Sequence, residues 1–153
     1  MMGYWKNEER TREIVVDGWL RTGDLYRRDE RGYYWHEGRR DDVFKVKGLW
    51  VSPLDVEDAL LTHPNVAEAA VVQGLDDEGL NMPIAYVVLR PPSDPNESCA
   101  RILIDHCRSH WPDFKCPATV RFVEELPRTA TGKIQRFKLR EAGTRNPPGA
   151  EEE

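Results

Sequence analysis

Leu126-Pro127-Arg128-Thr129-Ala130-Thr131-Gly132-Lys133-Ile134-Gln135-Arg136 places one lysine directly after a glycine, on a turn of small residues, with apolar or extended sequence on both sides. Pro127 restricts the backbone on entry, and Gly132 admits dihedrals closed to other residues. A lysine held on such a loop can reach into the cleft of another molecule or domain. Its ammonium is a compact point charge suited to carboxylate and phosphate oxygens. Taken alone, a Gly-Lys pair reads as a solvated turn, because loops are polar and exposed. It is not a phosphate-binding Walker loop: the upstream glycine is missing, and Ile134 stands where a metal-binding Ser or Thr belongs.

Working outward, Thr119–Val123 reads as a strand before this turn, and Arg136–Glu141 as a short helix after it. Further upstream, Ser52-Pro53 opens a helix, with Ser at the N-cap, Pro at the first helical position and acids in the first turns. Leu54, Val56, Ala59, Leu60 and Leu61 supply its apolar face, and His63-Pro64 stops it. Val66–Gln73 and Ile84–Leu89 read as strands joined by a Gly74–Met82 loop. Ser98–His110 reads as a helix with Ile102, Leu103 and His106 or Cys107 facing inward. Asp42–Val46 and Leu49–Val51 flank Lys47-Gly48 as a hairpin. Residues 1–40 read as turn-rich β structure, with a hairpin turning at Asp29-Glu30-Arg31-Gly32. A hairpin is too small to bury a core by itself.

The expected fold is therefore α+β. A small domain over residues 41–142 holds a central, mostly antiparallel three-stranded sheet flanked by helices. A β-hairpin precedes it, and residues 1–40 form the edge of a large, incomplete N-terminal domain. Residues 143–153, rich in Pro, Gly and Glu, are expected to be a disordered tail.

The 153 residues carry a net charge of −5, from 22 Lys and Arg against 27 Asp and Glu. That balance argues against a general nucleic-acid binder. No apolar run reaches the length of a membrane span, and Met1–Arg12 has no apolar signal-peptide core. Cys99, Cys107 and Cys116 are an odd number without a CxxC pair, which predicts reduced thiols in a cytoplasmic protein. His106 and His110 stand four apart on the predicted helix, but no third metal ligand is evident, so a surface or half-buried pair is expected.

Two further segments bear on chemistry. Gly38-Arg39-Arg40-Asp41-Asp42-Val43-Phe44-Lys45-Val46-Lys47-Gly48 sits where the composition changes, as a hinge between domains would. Alone it reads equally as a charged surface turn. In Arg21-Thr22-Gly23-Asp24, an aspartate after a Thr-Gly turn can accept two hydrogen bonds from a vicinal diol such as ribose. Alone it reads as an Asx-type turn.

In this order and spacing, the segments resemble the motifs of the AMP-forming acyl-CoA synthetases, the adenylate-forming superfamily. Gly3-Tyr4-Trp5 through Thr11 resembles that family's Gly-Tyr…Thr segment, Arg21–Asp24 its ribose-binding motif and Gly38–Asp42 its hinge motif. Phe114-Lys115-Cys116-Pro117 and Leu126–Arg136 resemble its last two motifs. The resemblance covers roughly residues 3–142. Asp42–Pro53 and Phe114–Pro117 are most similar to the benzoate-CoA ligase branch.

The resemblance implies a two-step reaction, acyl-adenylate formation from an aromatic or other small carboxylic acid and ATP, then thioester formation with coenzyme A and release of AMP. It implies Lys133 as the adenylation lysine, Asp24 and Arg39 as nucleotide contacts, Gly48 beside the pantetheine arm of coenzyme A, and Asp41 as the hinge. Lys47 departs from the family pattern, which has a small residue there. A phosphate loop, an acyl pocket and the ligands of the accompanying Mg2+ are not found here, and are expected in the large N-terminal adenylating domain. The chain alone is expected to be inactive. Two other readings remain: a non-catalytic interaction module of the same fold, and an adenylation domain feeding a carrier protein.

Overall fold

A computed structural model describes residues 3–145 of the chain. Contacts divide it into two compact units, one ending at Asp41 and the other starting at Asp42.

The first unit contains a helix that the β-rich expectation for residues 1–40 missed, α1 (Glu8–Ile14). Its start is local chemistry: the Asn7 side chain accepts the Arg10 amide at 3.0 Å, and Glu8 and Glu9 fill the first turn. A short antiparallel pair follows, β1 (Val15–Val16) with β2 (Trp19–Leu20). The expected hairpin is present as β3 (Asp24–Arg28) with β4 (Tyr34–Arg39). Asp29 shapes its turn by accepting the Arg31 and Tyr33 amides at 3.0 and 2.9 Å and the Trp35 indole N–H at 3.0 Å.

The second unit opens with β5 (Phe44–Val46) and β6 (Leu49–Val51), joined by Lys47-Gly48. Both turn residues have positive φ, 50° and 82°, which is the twist that a two-residue hairpin turn requires. Then come α2 (Pro53–Leu61), β7 (Val66–Leu75), β8 (Asn81–Leu89), α3 (Glu97–Arg108), a single 3-10 turn at Asp113–Lys115, β9 (Thr119–Phe122) and α4 (Arg136–Arg145). The three-stranded sheet runs β7-β8-β9, with the long β7-β8 pairing antiparallel and the short β8-β9 pairing parallel. The expected tail at 143–153 begins inside α4, which is helical through Arg145; residues 146–153 lie outside the described part.

The sheet is covered on both faces, and the side-chain alternation of its strands shows it. Ala69, Val71, Ala85 and Val87 face one cluster with Val56, Ala59 and Leu60 of α2, Leu103 and Cys107 of α3, and Phe44, Val46 and Val51 of the hairpin. Ala70, Val72, Ile84 and Tyr86 face the other, with Leu126 and Leu139. The Tyr86 hydroxyl donates to the Leu139 carbonyl at 2.9 Å, tying α4 to the sheet.

Three sequence expectations are corrected. Leu61 and Ile102 are exposed, at 44% and 53%, because the helices turn a narrower stripe inward than their apolar content suggested. The 74–82 loop shrinks to Asp76–Leu80, since Asp76 Oδ1 accepts the Glu78 and Leu80 amides at 3.0 and 2.8 Å and lets the β7-β8 ladder run on. The α3 helix starts one residue early, capped by the Asn96 side chain on the Cys99 amide at 2.8 Å.

Truncating a fully buried side chain leaves a cavity here, whereas truncating the exposed leucine does not. Leu60→Ala or Leu103→Ala is expected to cost about 2–5 kcal/mol, and Leu61→Ala less than about 0.5, in urea unfolding of the chain.

Candidate functional site

The sequence-predicted residues fall into two places. In the first unit, Asp24 opposes Arg39 across β3 and β4, with the Asp24 carboxylate 3.3 Å from Arg39 Nε. Thr22 Oγ1 accepts the Asp24 amide at 3.2 Å, and the Arg40 amide donates to the Gly23 carbonyl at 2.8 Å. Arg21–Leu25 and Arg40 line an open depression of about 480 Å³. Its wall includes the half-buried Asp24 carboxylate, and Asp24 with its partner Arg39 can take hydroxyls and anionic oxygens at once. Asp41 is exposed at the last position of this unit. Tyr4 and Thr11 also meet, the Tyr4 amide donating to Thr11 Oγ1 at 2.9 Å. Trp5 and Trp19 are 87% and 80% exposed, an unusually bare display of indole.

In the second unit, Gly48 and Lys133 occupy different turns. At Gly48 an added Cβ would meet no atom within 4 Å, so the backbone there is open to an approaching ligand. Beside it, Trp50 is exposed with the Lys45 ammonium 4.8 Å above its ring.

Lys133 is exposed at the tip of a tightly built loop. The Thr129 amide donates to the Lys133 carbonyl at 2.8 Å, and the Gly132 amide to the Thr129 carbonyl at 2.9 Å. Thr129 Oγ1 accepts the Lys133 amide at 3.1 Å, and the Gln135 amide closes on the Pro127 carbonyl at 2.8 Å. Gly132, at φ 82°, makes the reversal possible. Arg128 braces one side, donating to the Gly132 carbonyl at 2.8 Å and pairing with Glu68 of β7. The turn therefore projects an exposed four-carbon stem from a hydrogen-bonded base.

Sequence reasoning missed the residue that braces the other side. Glu57 is 5% exposed, the one charged residue among the buried ones described. Its carboxylate accepts the Val71 amide at 2.7 Å and Arg136 Nη2 at 2.8 and 2.7 Å on its two oxygens. The signal was available: Glu57 lies four residues after Pro53 and three before Leu60, on the inward stripe of α2. Lys115 is likewise structural, bonded to Asp55 at 2.8 Å with its ammonium 4.0 Å above the Trp111 ring.

The two-histidine pair is in fact a row of three. His106 lies 5.1 Å from His63 and 4.8 Å from His110 between ring centroids. His106 Nε2 contacts Thr62 Oγ1 and the Ala59 carbonyl at 2.8 and 3.1 Å. Among the described residues, no three His, Cys, Asp or Glu side chains are grouped to hold a metal ion. Burial, reinforced by His106, lowers the His63 pKa. Burial raises the Cys107 thiol to about 12, and Cys116 close by adds to the shift.

The fold and the loop define a class before any relative is considered: a small α+β domain that presents one lysine from a braced turn. The family described as "AMP-binding enzyme C-terminal domain" matches residues 55–133, and the chain belongs to it. Over 142 residues the chain is 45% identical to a 3-hydroxybenzoate–CoA ligase of Aromatoleum sp. (strain CIB), covering 91% of this chain and 27% of that protein. It is 45% identical over 139 residues to a benzoate–CoA ligase of Thauera aromatica, covering 91% and 26%. The crystal structure of the anthranilate CoA ligase AuaEII with anthranoyl-AMP matches at 48% identity and a TM-score of 0.88, covering 94% of this chain and 28% of that one. The chain thus spans about a quarter of the length of the curated relatives it matches. Among the described residues no helix is long and apolar enough to cross a membrane.

Two titrations follow. Folded His63 binds its proton less readily than unfolded His63, so protonation favours unfolding. Its contribution is present at alkaline pH and is lost as pH falls from about 7 to 5; urea titrations across that range should show the slope, and His63→Gln should flatten it. With a thiol-specific reagent near pH 8, Cys107 and Cys116 should react only on unfolding, ahead of which the half-buried Cys99 is labelled.

Proposed function

We propose that this chain is the C-terminal portion of an ATP-dependent, AMP-forming carboxylate–coenzyme A ligase. It acts with a large N-terminal adenylating domain on an aromatic or other small carboxylic acid, in the cytoplasm. The observation that carries the reading is Lys133, exposed on its braced loop in a chain 45% identical to aromatic-acid CoA ligases.

In the first step a carboxylate oxygen attacks the α-phosphorus of ATP, and the bond from that phosphorus to the bridging oxygen breaks. The acyl-adenylate forms and pyrophosphate leaves. Lys133 places its ammonium between the carboxylate and α-phosphate oxygens, where negative charge concentrates in the transition state. Its contribution is electrostatic and positional, not covalent. Asp24 accepts hydrogen bonds from the ribose hydroxyls, and Arg39, already paired with it, adds a cationic contact to the nucleotide. In the second step the thiol of coenzyme A gives up its proton, its sulfur attacks the acyl carbonyl carbon, and AMP departs. Gly48 lets the backbone lie against the pantetheine arm, since no Cβ stands there. Asp41, at the last position of the first unit, is where a few dihedral changes would reorient the second. Mg2+ would travel with ATP and take its protein ligands from the large domain.

The test is a hybrid enzyme in which this chain replaces the matching C-terminal part of the Thauera aromatica benzoate–CoA ligase. The hybrid should catalyse benzoate-dependent ATP–pyrophosphate exchange, and the 153-residue chain alone should not. Lys133→Ala should lower exchange by about a hundredfold or more, while thioester formation from supplied benzoyl-adenylate falls far less. Exchange that survives the lysine change would overturn the reading.

A further inference from the structure

The loop that carries Lys133 ends at Arg136, whose guanidinium meets two carboxylates. Its Nη2 bridges both oxygens of Glu57 at 2.8 and 2.7 Å, and its Nη1 lies 3.8 Å from Asp42. Arg140, one helical turn later on α4, reaches the other oxygen of Asp42 at 3.3 Å. Glu57 is anchored in turn by the Val71 amide of β7, so it cannot follow Arg136 if the loop drifts. Its side chain is 6% exposed and those of Arg136 and Asp42 are each 18% exposed, so water screens the group weakly. Three chain segments meet in this cluster: the first residue of the second unit, the middle of α2, and the start of α4.

The lysine loop is consequently held between two arginine–glutamate pairs, Arg128 with Glu68 on its entry side and Arg136 with Glu57 on its exit side. The first pair is 42% exposed on each side chain and contributes little. The second is buried and fixed by a backbone amide, so it sets where the loop enters α4.

We propose that Glu57 is a positioning residue for Lys133. Acting through Arg136, it fixes the exit of the lysine loop, so that the adenylate-forming step depends on it and the thioester-forming step does not. This rests on the adenylating role of Lys133 proposed above. Positional error of about an ångström at a reacting group costs on the order of a hundredfold in rate, so a brace acting only on this loop should be read out in one half-reaction.

The experiment has two arms. In the 153-residue chain, Glu57→Gln keeps an oxygen for the Val71 amide but removes the charge that holds Arg136. Amide hydrogen exchange at Thr129, Gly132, Lys133 and Gln135 should accelerate about tenfold, with the β7-β8 ladder unchanged. In the hybrid enzyme, Glu57→Gln and Arg136→Lys should each lower ATP–pyrophosphate exchange about tenfold or more and leave thioester formation from supplied benzoyl-adenylate within about twofold. The idea is overturned if the loop amides do not respond, if the ladder opens with them, or if both half-reactions fall equally. Lys133→Ala in the same hybrid separates the two readings: if that change spares exchange, the lysine's role fails; if it abolishes exchange while Glu57→Gln does not, only the brace fails.

Discussion

The second unit is organised around one buried carboxylate. Glu57 sits at the junction of α2, β7 and α4, and each of its oxygens is taken by Arg136, one of them also by the Val71 amide. A charge in that position is costly to desolvate, and an ion pair there is a weak argument for stability as such. Its value is directional: hydrogen bonds to both Glu57 oxygens orient the guanidinium, which still faces Asp42 if the Glu57 charge is lost. The arrangement therefore selects one packing of α4 against the sheet over its competitors. Apolar contacts alone, Leu139 and Leu126 against Ala70, Val72 and Ile84, would tolerate sliding, because they are non-directional.

That constraint has a functional counterpart. The chemistry proposed for Lys133 needs an ammonium that is free at its tip and accurately placed at its root. The loop achieves the first by exposure and the second by internal hydrogen bonds from Thr129, Gly132 and Gln135, with an arginine at either end. The hairpin that bears Gly48 follows the same division of labour: Phe44, Val46 and Val51 are sunk in the core, while Lys47-Gly48 turns outward. The first unit is built differently. Its aromatic residues are largely bare, and its chemical features, Asp24 and Arg39, are set by strand register across a small ladder.

Much of the fold was legible because its signals are local. Ser52-Pro53 announces α2, Lys47-Gly48 a two-residue hairpin turn, and Asp29–Gly32 the reversal between β3 and β4. Errors arose where a local signal competes with a distant one. The Gly74–Met82 stretch is polar and glycine-bearing, yet pairing between β7 and β8 extends into it once Asp76 tightens the turn. Leu61 and Ile102 are apolar and helical, yet they face away from the sheet. Residues 8–14 are highly charged and carry no apolar stripe, so α1 had no periodicity to reveal it; Asn7 as a cap was its main signal.

The sequence by itself determined the class of fold and the candidate chemistry: a lysine after a glycine, an aspartate after a Thr-Gly turn and a charged boundary segment, in an order that chance does not supply. Those features are short and contiguous, so a linear reading captures them. Only the tertiary structure decided how the pieces support one another. It paired Asp24 with Arg39 across two strands, turned Lys115 into a clamp on Asp55, and joined Asp42, Glu57 and Arg136 from distant parts of the chain. The reason is physical: its place on the inward stripe of α2 marks Glu57 as buried, but its partners depend on which donors the completed fold carries to it.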